Sequence, residues 1–419
     1  MTKLRLMFFL FSWLPCLWMT VAHGEPAQGA YPWRTLAHVQ DVFGVTNYVW
    51  DGDSLCFSNS HNHVRFYQGR RKSDVNGTVI WLNALPDGSV TAGNWRLSGV
   101  DLDFLKFAVL PQEEGTLKPV HVMLDPGHGG DDDGASSKHP LVREKDLTLS
   151  MALQIGKKLQ ASGLTVSYTR TNDTTLTLDD RSRFARKAGA DLFVSVHANY
   201  AGNSEATGVE TYILPPSGFP GTADGSRPRG WQIGNRNDYH NTLLGFSIHK
   251  KLSVLNQACD RGLKRQSFFV LRETSCPAVL LEFGFLSNAA ETRKMLDAAW
   301  QDTCALSITD GILSYAKKVD ALDAAITDKR KRDAEANDRW RLHLAAHASS
   351  AQPPPAHLEA ASGSTAASSN ALPSLVNLLP LVSNHLCVVA SHAPSLTNTN
   401  IAPAEINALI DFYAAGKVE

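Results

Sequence analysis

Hydrophobic positions follow two regimes along this chain. Between residues 119 and 317, short β-rich apolar runs alternate with longer stretches whose apolar positions recur at helical spacing. Val120–Leu124, Leu192–Val196 and Val279–Leu281 predict buried strands. Leu147–Ala161, with Leu149, Leu153, Ile155 and Leu159 on its apolar positions, predicts a helix, as do Leu178–Ala188 and Leu243–Leu255. Strand, helix and strand in alternation predict an α/β fold, with a mainly parallel sheet covered by helices on both faces. Residues 31–111 read differently. SLCF, NHVRFY and TVIWLNA alternate in polarity and are punctuated by Asn76-Gly77 and Pro86-Asp87-Gly88 turns, which predicts a separate, small β-rich module behind an opening helix near 35–43.

The flanks carry weaker patterns. Lys3 and Arg5 precede an apolar run from Leu6 to Val21 and the small residues of Ala22-His23-Gly24, so 1–24 reads as a secretory signal peptide and the protein as periplasmic or secreted. The run is short for a membrane span. After the 118–318 domain come a charged helical extension (319–348), a Pro/Ser/Ala-rich linker (349–373) and a tail (374–419), none of it apolar enough to predict a span.

Candidate chemistry sits where the apolar runs stop. VMLDPGHGG ends on His128, FVSVHAN on His197 and VLLEFGF on Glu282, while VREKDLTL brings Glu144 to a helix start. In parallel α/β sheets the carboxyl edge of the strands is where ligands bind, so these groups converge although far apart in sequence. Two imidazoles and a carboxylate are a ligand set that zinc accepts in a hydrolytic site with an open fourth position, and a second carboxylate is what such a site needs to move protons. Each residue also has a plainer reading. Arg143-Glu144-Lys145 resembles a solvated charge cluster opening a helix, and a single histidine after a strand is more often hydrogen-bonded than metal-bound. His197 and Glu282 resist that reading, because an ionisable group ending a buried strand must be paired, coordinated or shifted in pKa.

Other motifs fail on inspection. GHGGDDDGASS lacks the Gly-Lys-Ser/Thr ending of a phosphate loop and the spacing of a calcium-binding hand. HExxH and CxxC are absent, and the cysteines left after signal removal, at 56, 259, 276, 304 and 387, form no scaffold. A net charge of −1 gives no footprint for a nucleic-acid partner.

DPGHGG, REKDLTL, SVHAN and RGLKRQSFFVLRETSCPAVLLEFGFLSN, in that order over about 119–317, resemble the zinc-dependent N-acetylmuramoyl-L-alanine amidases of bacterial cell-wall hydrolysis. The resemblance implies Zn2+ held by His128, Glu144 and His197, Glu282 as the catalytic carboxylate, a twisted α/β sheet, and peptidoglycan as substrate, cut between the lactyl group of muramic acid and L-alanine of the stem peptide. Asp125 or Asn199 is expected to support a ligand histidine. Arg261 and Lys264 are expected to meet stem-peptide carboxylates, and Arg181 to be structural. Some relatives plug the zinc with a helix. The comparable stretch, 215–241, is rich in Gly and Pro and predicts a mobile loop at the groove rim, leaving any gating to an unidentified regulatory protein. Two other readings stay open: a zinc peptidase of similar architecture, and a non-catalytic wall-binding protein.

Overall fold

The computed structural model describes residues 32–112, 119–138, 140–223, 229–255 and 259–350. The expected signal peptide and tail lie outside these residues, as does all but the start of the linker. The first segment contains β1 (Trp33–Thr35), α1 (Leu36–Phe43), β2 (Val49–Trp50), β3 (Ser54–Ser58), β4 (His63–Tyr67), β5 (Lys72–Val75), β6 (Thr78–Trp81), β7 (Arg96–Ser98) and α2 (Gly99–Val109). The opening helix starts where Thr35 accepts the His38 amide and stops at Gly44, whose φ of 62° supplies the left-handed turn.

The second segment runs β8 (His121–Pro126), β9 (Ser136–Lys138), β10 (Leu141–Arg143), α3 (Glu144–Ala161), β11 (Thr165–Tyr168), α4 (Leu178–Ala188), β12 (Leu192–Asn199) and β13 (Val209–Ile213). After a 3-10 turn at Ile233–Asn237 come α5 (Asp238–Leu255), β14 (Asp260–Arg265), α6 (Phe269–Arg272), β15 (Ala278–Phe285), α7 (Ala289–Leu296) and α8 (Ala298–Ser350).

Eleven strands form one sheet, in the order β11-β8-β12-β15-β13-β14-β6-β5-β4-β3-β2. From β11 to β15 neighbours are parallel, β13 is antiparallel to β15, and β13, β14 and β6 are again parallel. The remaining strands form an antiparallel meander. The fold is therefore α/β with helices on both faces, as expected, but the sheet is mixed. One face meets α5, where Gly245 approaches Ile213, Leu263 and Val279 so closely that a Cβ would stand 2.7 Å from Ile213. The other packs Met123, Phe193 and Leu280 against Ala185 of α4 and Val270 and Leu271 of α6.

The small β-rich module expected at 31–111 is present, and its strands β2–β6 continue the sheet of the second segment. Leu263 registers with Ile80, and the indole of Trp81 donates to the Arg261 carbonyl at 2.8 Å. Arg265, 1% exposed, pairs with the fully buried Asp101 of α2 at 2.5 Å and stacks on Phe104. An ion pair removed from water holds only with good geometry, and Asp101 also accepts the amides of Asn83 and Ala84.

Two units are distinguished, Met1–Ala325 and Ile326–Glu419. In the first, α8 buries a stripe at Cys304, Ile308, Ile312, Tyr315, Val319 and Leu322, the spacing of one helix face. The stripe stops there, and the described side chains beyond are nearly all exposed. No helix among the described residues is long and apolar enough to cross a membrane. Cys56, Cys259, Cys276 and Cys304 are unpaired.

Candidate active site

His128 stands in the loop after β8, Glu144 opens α3 and His197 lies near the end of β12. Their ligand atoms lie within 4.8 Å of one another, the one such group of three or more among the described residues. Glu144 sits between the two rings. One carboxylate oxygen is 3.2 Å from His128 Nε2, the other 2.9 Å from His197 Nδ1, and the amides of Ala135 and Ala198 donate to the same carboxylate. Burial alone would raise the Glu144 pKa, yet the hydrogen bonds and charge of the two histidines hold it far below the usual carboxylate range. This carboxylate stays ionised.

The rings are close because glycine lets them be. A Cβ on Gly127 would stand 2.3 Å from His197 Cε1, and one on Gly134 would stand 2.7 Å from both Glu144 Oε2 and His128 Cδ2. His128 itself takes a φ of 60°, a costly conformation for a non-glycine residue. Two buried arginines impose it. Arg181 of α4 donates to Asp125, to the Pro126 carbonyl and to the His128 carbonyl, each at 2.7 Å. Arg170 binds the carbonyls of Pro126 and Gly127, and the Thr148 hydroxyl also donates to Gly127.

The expected support for the ligand histidines is corrected by this geometry. Asp125 is fully buried and engaged with Arg181, Thr169 and Ser195, while Asn199 donates to Glu210. The carboxylate on His128 is Asp132, 2.8 Å from Nδ1. That contact frees Nε2 to face Glu144, the arrangement by which a second carboxylate fixes the tautomer of a ligand histidine.

Glu282 is in register with His197 on one side and Glu210 on the other, so all three side chains leave the same face of the sheet. Its Oε2 is sealed from solvent and has no hydrogen-bond partner in the protein. Burial, with Glu144 and Glu210 as like-charged neighbours, pushes its pKa well above the usual range, and Lys264 pulls the other way. An orphaned buried carboxyl is expensive, and sites that keep one use it.

Glu210 was not anticipated. It is 2% exposed and gathers Arg261 Nε at 2.5 Å, Lys264 Nζ at 2.7 Å, Asn199 Nδ2 at 2.9 Å and the Tyr212 hydroxyl. Arg261 and Lys264 are thus beside the candidate catalytic carboxyl, but their charge is already shared with Glu210. The described residues of the 215–241 stretch do not lie beside Glu282, where the rim loop was expected. Because β13 runs against β15, the chain leaves β13 at the sheet edge away from Glu282, and Pro220 and Thr222 there accept hydrogen bonds from Asn83 and Arg71.

The three donor atoms, two imidazole nitrogens and one carboxylate oxygen, suit a tetrahedral cation with one open position, and Glu282 lies on the same sheet face as His197.

Residues 122–314 match the family described as N-acetylmuramoyl-L-alanine amidase. The chain is 34% identical over 194 residues to the amidase LytC of Bacillus subtilis (strain 168), a match covering 46% of this chain and 35% of that protein. It is 31% identical over 251 residues to the amidase AmiA of Escherichia coli (strain K12), covering 52% of this chain and 86% of AmiA. Among solved structures, the catalytic domain of the amidase CwlV from Bacillus (Paenibacillus) polymyxa var. colistinus is 34% identical, with a TM-score of 0.40 over 47% of this chain and 98% of that one.

Proposed function

The chain belongs to the N-acetylmuramoyl-L-alanine amidase family, and from that premise we propose that it hydrolyses the amide between the muramic acid lactyl group and L-alanine of peptidoglycan, in the cell envelope, with zinc held by His128, Glu144 and His197. The observation that carries this reading is the convergence of those three donors on the sheet face of Glu282, whose Oε2 is sealed from solvent without a hydrogen-bond partner.

Amide hydrolysis needs a nucleophile at neutral pH and charge stabilisation in the tetrahedral transition state. When bound, zinc supplies a Lewis acid and lowers the pKa of water to about 7. Glu282 takes the proton of the attacking water and returns it to the leaving alanine nitrogen, general acid/base work worth roughly 10²–10⁴-fold. A bound cation would draw its pKa down, against the burial and like charges that raise it. Asp132 keeps a proton on His128 Nδ1 and so leaves Nε2 as the donor. Arg181 and Arg170 fix the loop so that the ring stays aimed. Arg261 and Lys264 form the cationic wall of the groove, with Glu210 holding both in place.

The test is mass analysis of products from purified peptidoglycan, with and without a chelator. The expected products are glycan strands with free lactyl carboxylates and peptides with a free N-terminal alanine, both lost on chelation and restored by zinc. Release of amino acids from ordinary peptides, with peptidoglycan untouched, would replace this reading by the zinc peptidase.

A further inference from the structure

The sheet face that carries Glu282 does not end at the catalytic strands. Tyr212 registers with Leu280 on one side and Lys264 on the other, and Leu280 is two residues from Glu282 on the same face. Leu263 registers with Ile80, so the next residues along, Lys264 and Trp81, share the opposite face, and Trp81 registers with Lys72. Glu210, in register with Glu282, holds Lys264, and Lys264, Trp81 and Lys72 carry the same face outward. Lys264 Nζ lies 5.8 Å from the ring centres of both Tyr212 and Trp81. The indole is seated on the backbone of Gly262, where a Cβ would stand 2.7 Å from the ring. Beyond it a depression of about 410 Å³ is lined by Gly69, Arg70, Arg71, Lys72, Trp81 and Leu85.

The charges in that depression are available. Near Glu282 the cations are taken by Glu210. Arg71 instead donates to the carbonyls of Asn83 and Thr222, and no ion pair among the described residues involves Arg70, Arg71 or Lys72. Asp74, on the same face, accepts the Gly77 amide. The opposite face of these strands, with Val64, Phe66, Val75 and Ile80, is buried and unavailable. A cationic, aromatic-floored surface on the sheet face that also carries Glu282 suits an extended acidic ligand.

We propose that residues 32–112 prolong the substrate groove and bind the acidic stem peptide of the peptidoglycan strand through Arg70, Lys72 and Trp81. The proposal rests on the amidase reading for the identity of the ligand. Aromatic contact with Trp81 sets the position of the chain, and the two free cations select carboxylates over neutral groups.

The experiment is a calorimetric titration of the full-length, zinc-loaded protein with a muropeptide bearing free stem carboxylates and with the same muropeptide after those carboxylates are amidated. The wild type should bind the acidic form about fivefold more tightly, the size expected of two partly exposed charge pairs. The Arg70→Gln/Lys72→Gln variant should bring that ratio close to one. Equal binding of the two ligands by the wild type, or an unchanged ratio in the variant, overturns the proposal. So does variant-sensitive binding to phosphatidylglycerol vesicles without stem preference, which would assign the face to a lipid surface. Both proteins carry Glu282→Gln for the titration, so that the ligand is not cleaved; turnover is read separately with Glu282 restored, and selective binding without cleavage there would count against the amidase reading alone.

Discussion

Replacing Gly127 by alanine probes the contact that brings the two histidines together. The backbone there does not need a positive φ, so alanine is conformationally acceptable, and the whole effect comes from the added methyl. That methyl would stand 2.3 Å from His197 Cε1 and 2.6 Å from both ring nitrogens. Ordinary carbon contacts need ~3.5 Å or more, so the ring must retreat by more than ~1 Å. Metal-ligand distances tolerate only about 0.2 Å. Two donors remain, and zinc affinity should fall by at least ~100-fold, at or beyond the upper end of what losing an outer hydrogen-bond partner costs. The fold should survive, because overpacking of this kind typically costs about 1–3 kcal/mol. Chelator competition measures the affinity, thermal melting the stability, and Gly202→Ala, where nothing lies within 4 Å of the new methyl, is the control. Wild-type zinc affinity in Gly127→Ala would refute the placement of His197 in the metal shell.

The other expectations concern the proton carrier, the join between the two segments and the loop scaffold. Glu282→Gln should keep zinc yet lose ~10²-fold or more in turnover, whereas Glu144→Gln should weaken zinc retention; the reverse pattern, by metal analysis and product release, would exchange their roles. Asp101→Ala leaves Arg265 buried without its carboxylate and should cost about 3–5 kcal/mol in a denaturant melt; an unchanged midpoint would mean that residues 32–112 fold apart from the rest. Asp125 is buried, which alone would raise its pKa, but the Arg181 charge and hydrogen bonds from Thr169, Arg181 and Ser195 depress it. Its stabilisation is therefore full above about pH 4 and fades as pH falls through the folded value. The melting gap between wild type and Asp125→Asn should narrow below that pH, and a constant gap would contradict the linkage.

The positions of His128, Glu144, His197 and Glu282 were legible because each closes or opens an element whose periodicity is local. His197 and Glu282 sit at the ends of apolar runs that read as strands whatever else the chain does, and register then places them side by side. Glu210 was not legible. Its strand is a five-residue apolar run broken by the carboxylate itself, and its meaning depends on antiparallel pairing with β15, a contact between segments 70 residues apart that periodicity does not encode. For the same reason Arg261 and Lys264 read as free cations, since their partner is some 50 residues upstream. The choice of Asp132 over Asp125 was equally hidden. Asp125 precedes the histidine by three residues, but Arg181, Thr169 and Ser195 take up its carboxylate, while the glycine-permitted turn at 129–132 folds Asp132 back onto the ring. That residues 32–112 share the sheet turns on the single registered pair Leu263 with Ile80, which leaves no trace in composition.

The same geometry explains why the His128 loop tolerates a strained residue. The carbonyls of Pro126, Gly127 and His128 would be unpaired in a tight loop over the sheet edge, and each accepts from a guanidinium. Arg181 is neutralised by Asp125, and Arg170 is bound by backbone carbonyls and the Thr148 hydroxyl, so the loop rests on five or more donor contacts that do not involve a metal. Left-handed backbone at a β-carbon residue costs on the order of 1–3 kcal/mol, less than several charge-assisted hydrogen bonds return. The strain at His128 is thus met by the scaffold, and the imidazole is aimed before any cation arrives. Glu144 shows the corresponding adaptation on the opposite wall: it bridges the two rings and holds their separation within metal-binding range. A cation bound there would find its three donors already gathered, so little of its binding energy would go into assembling the site.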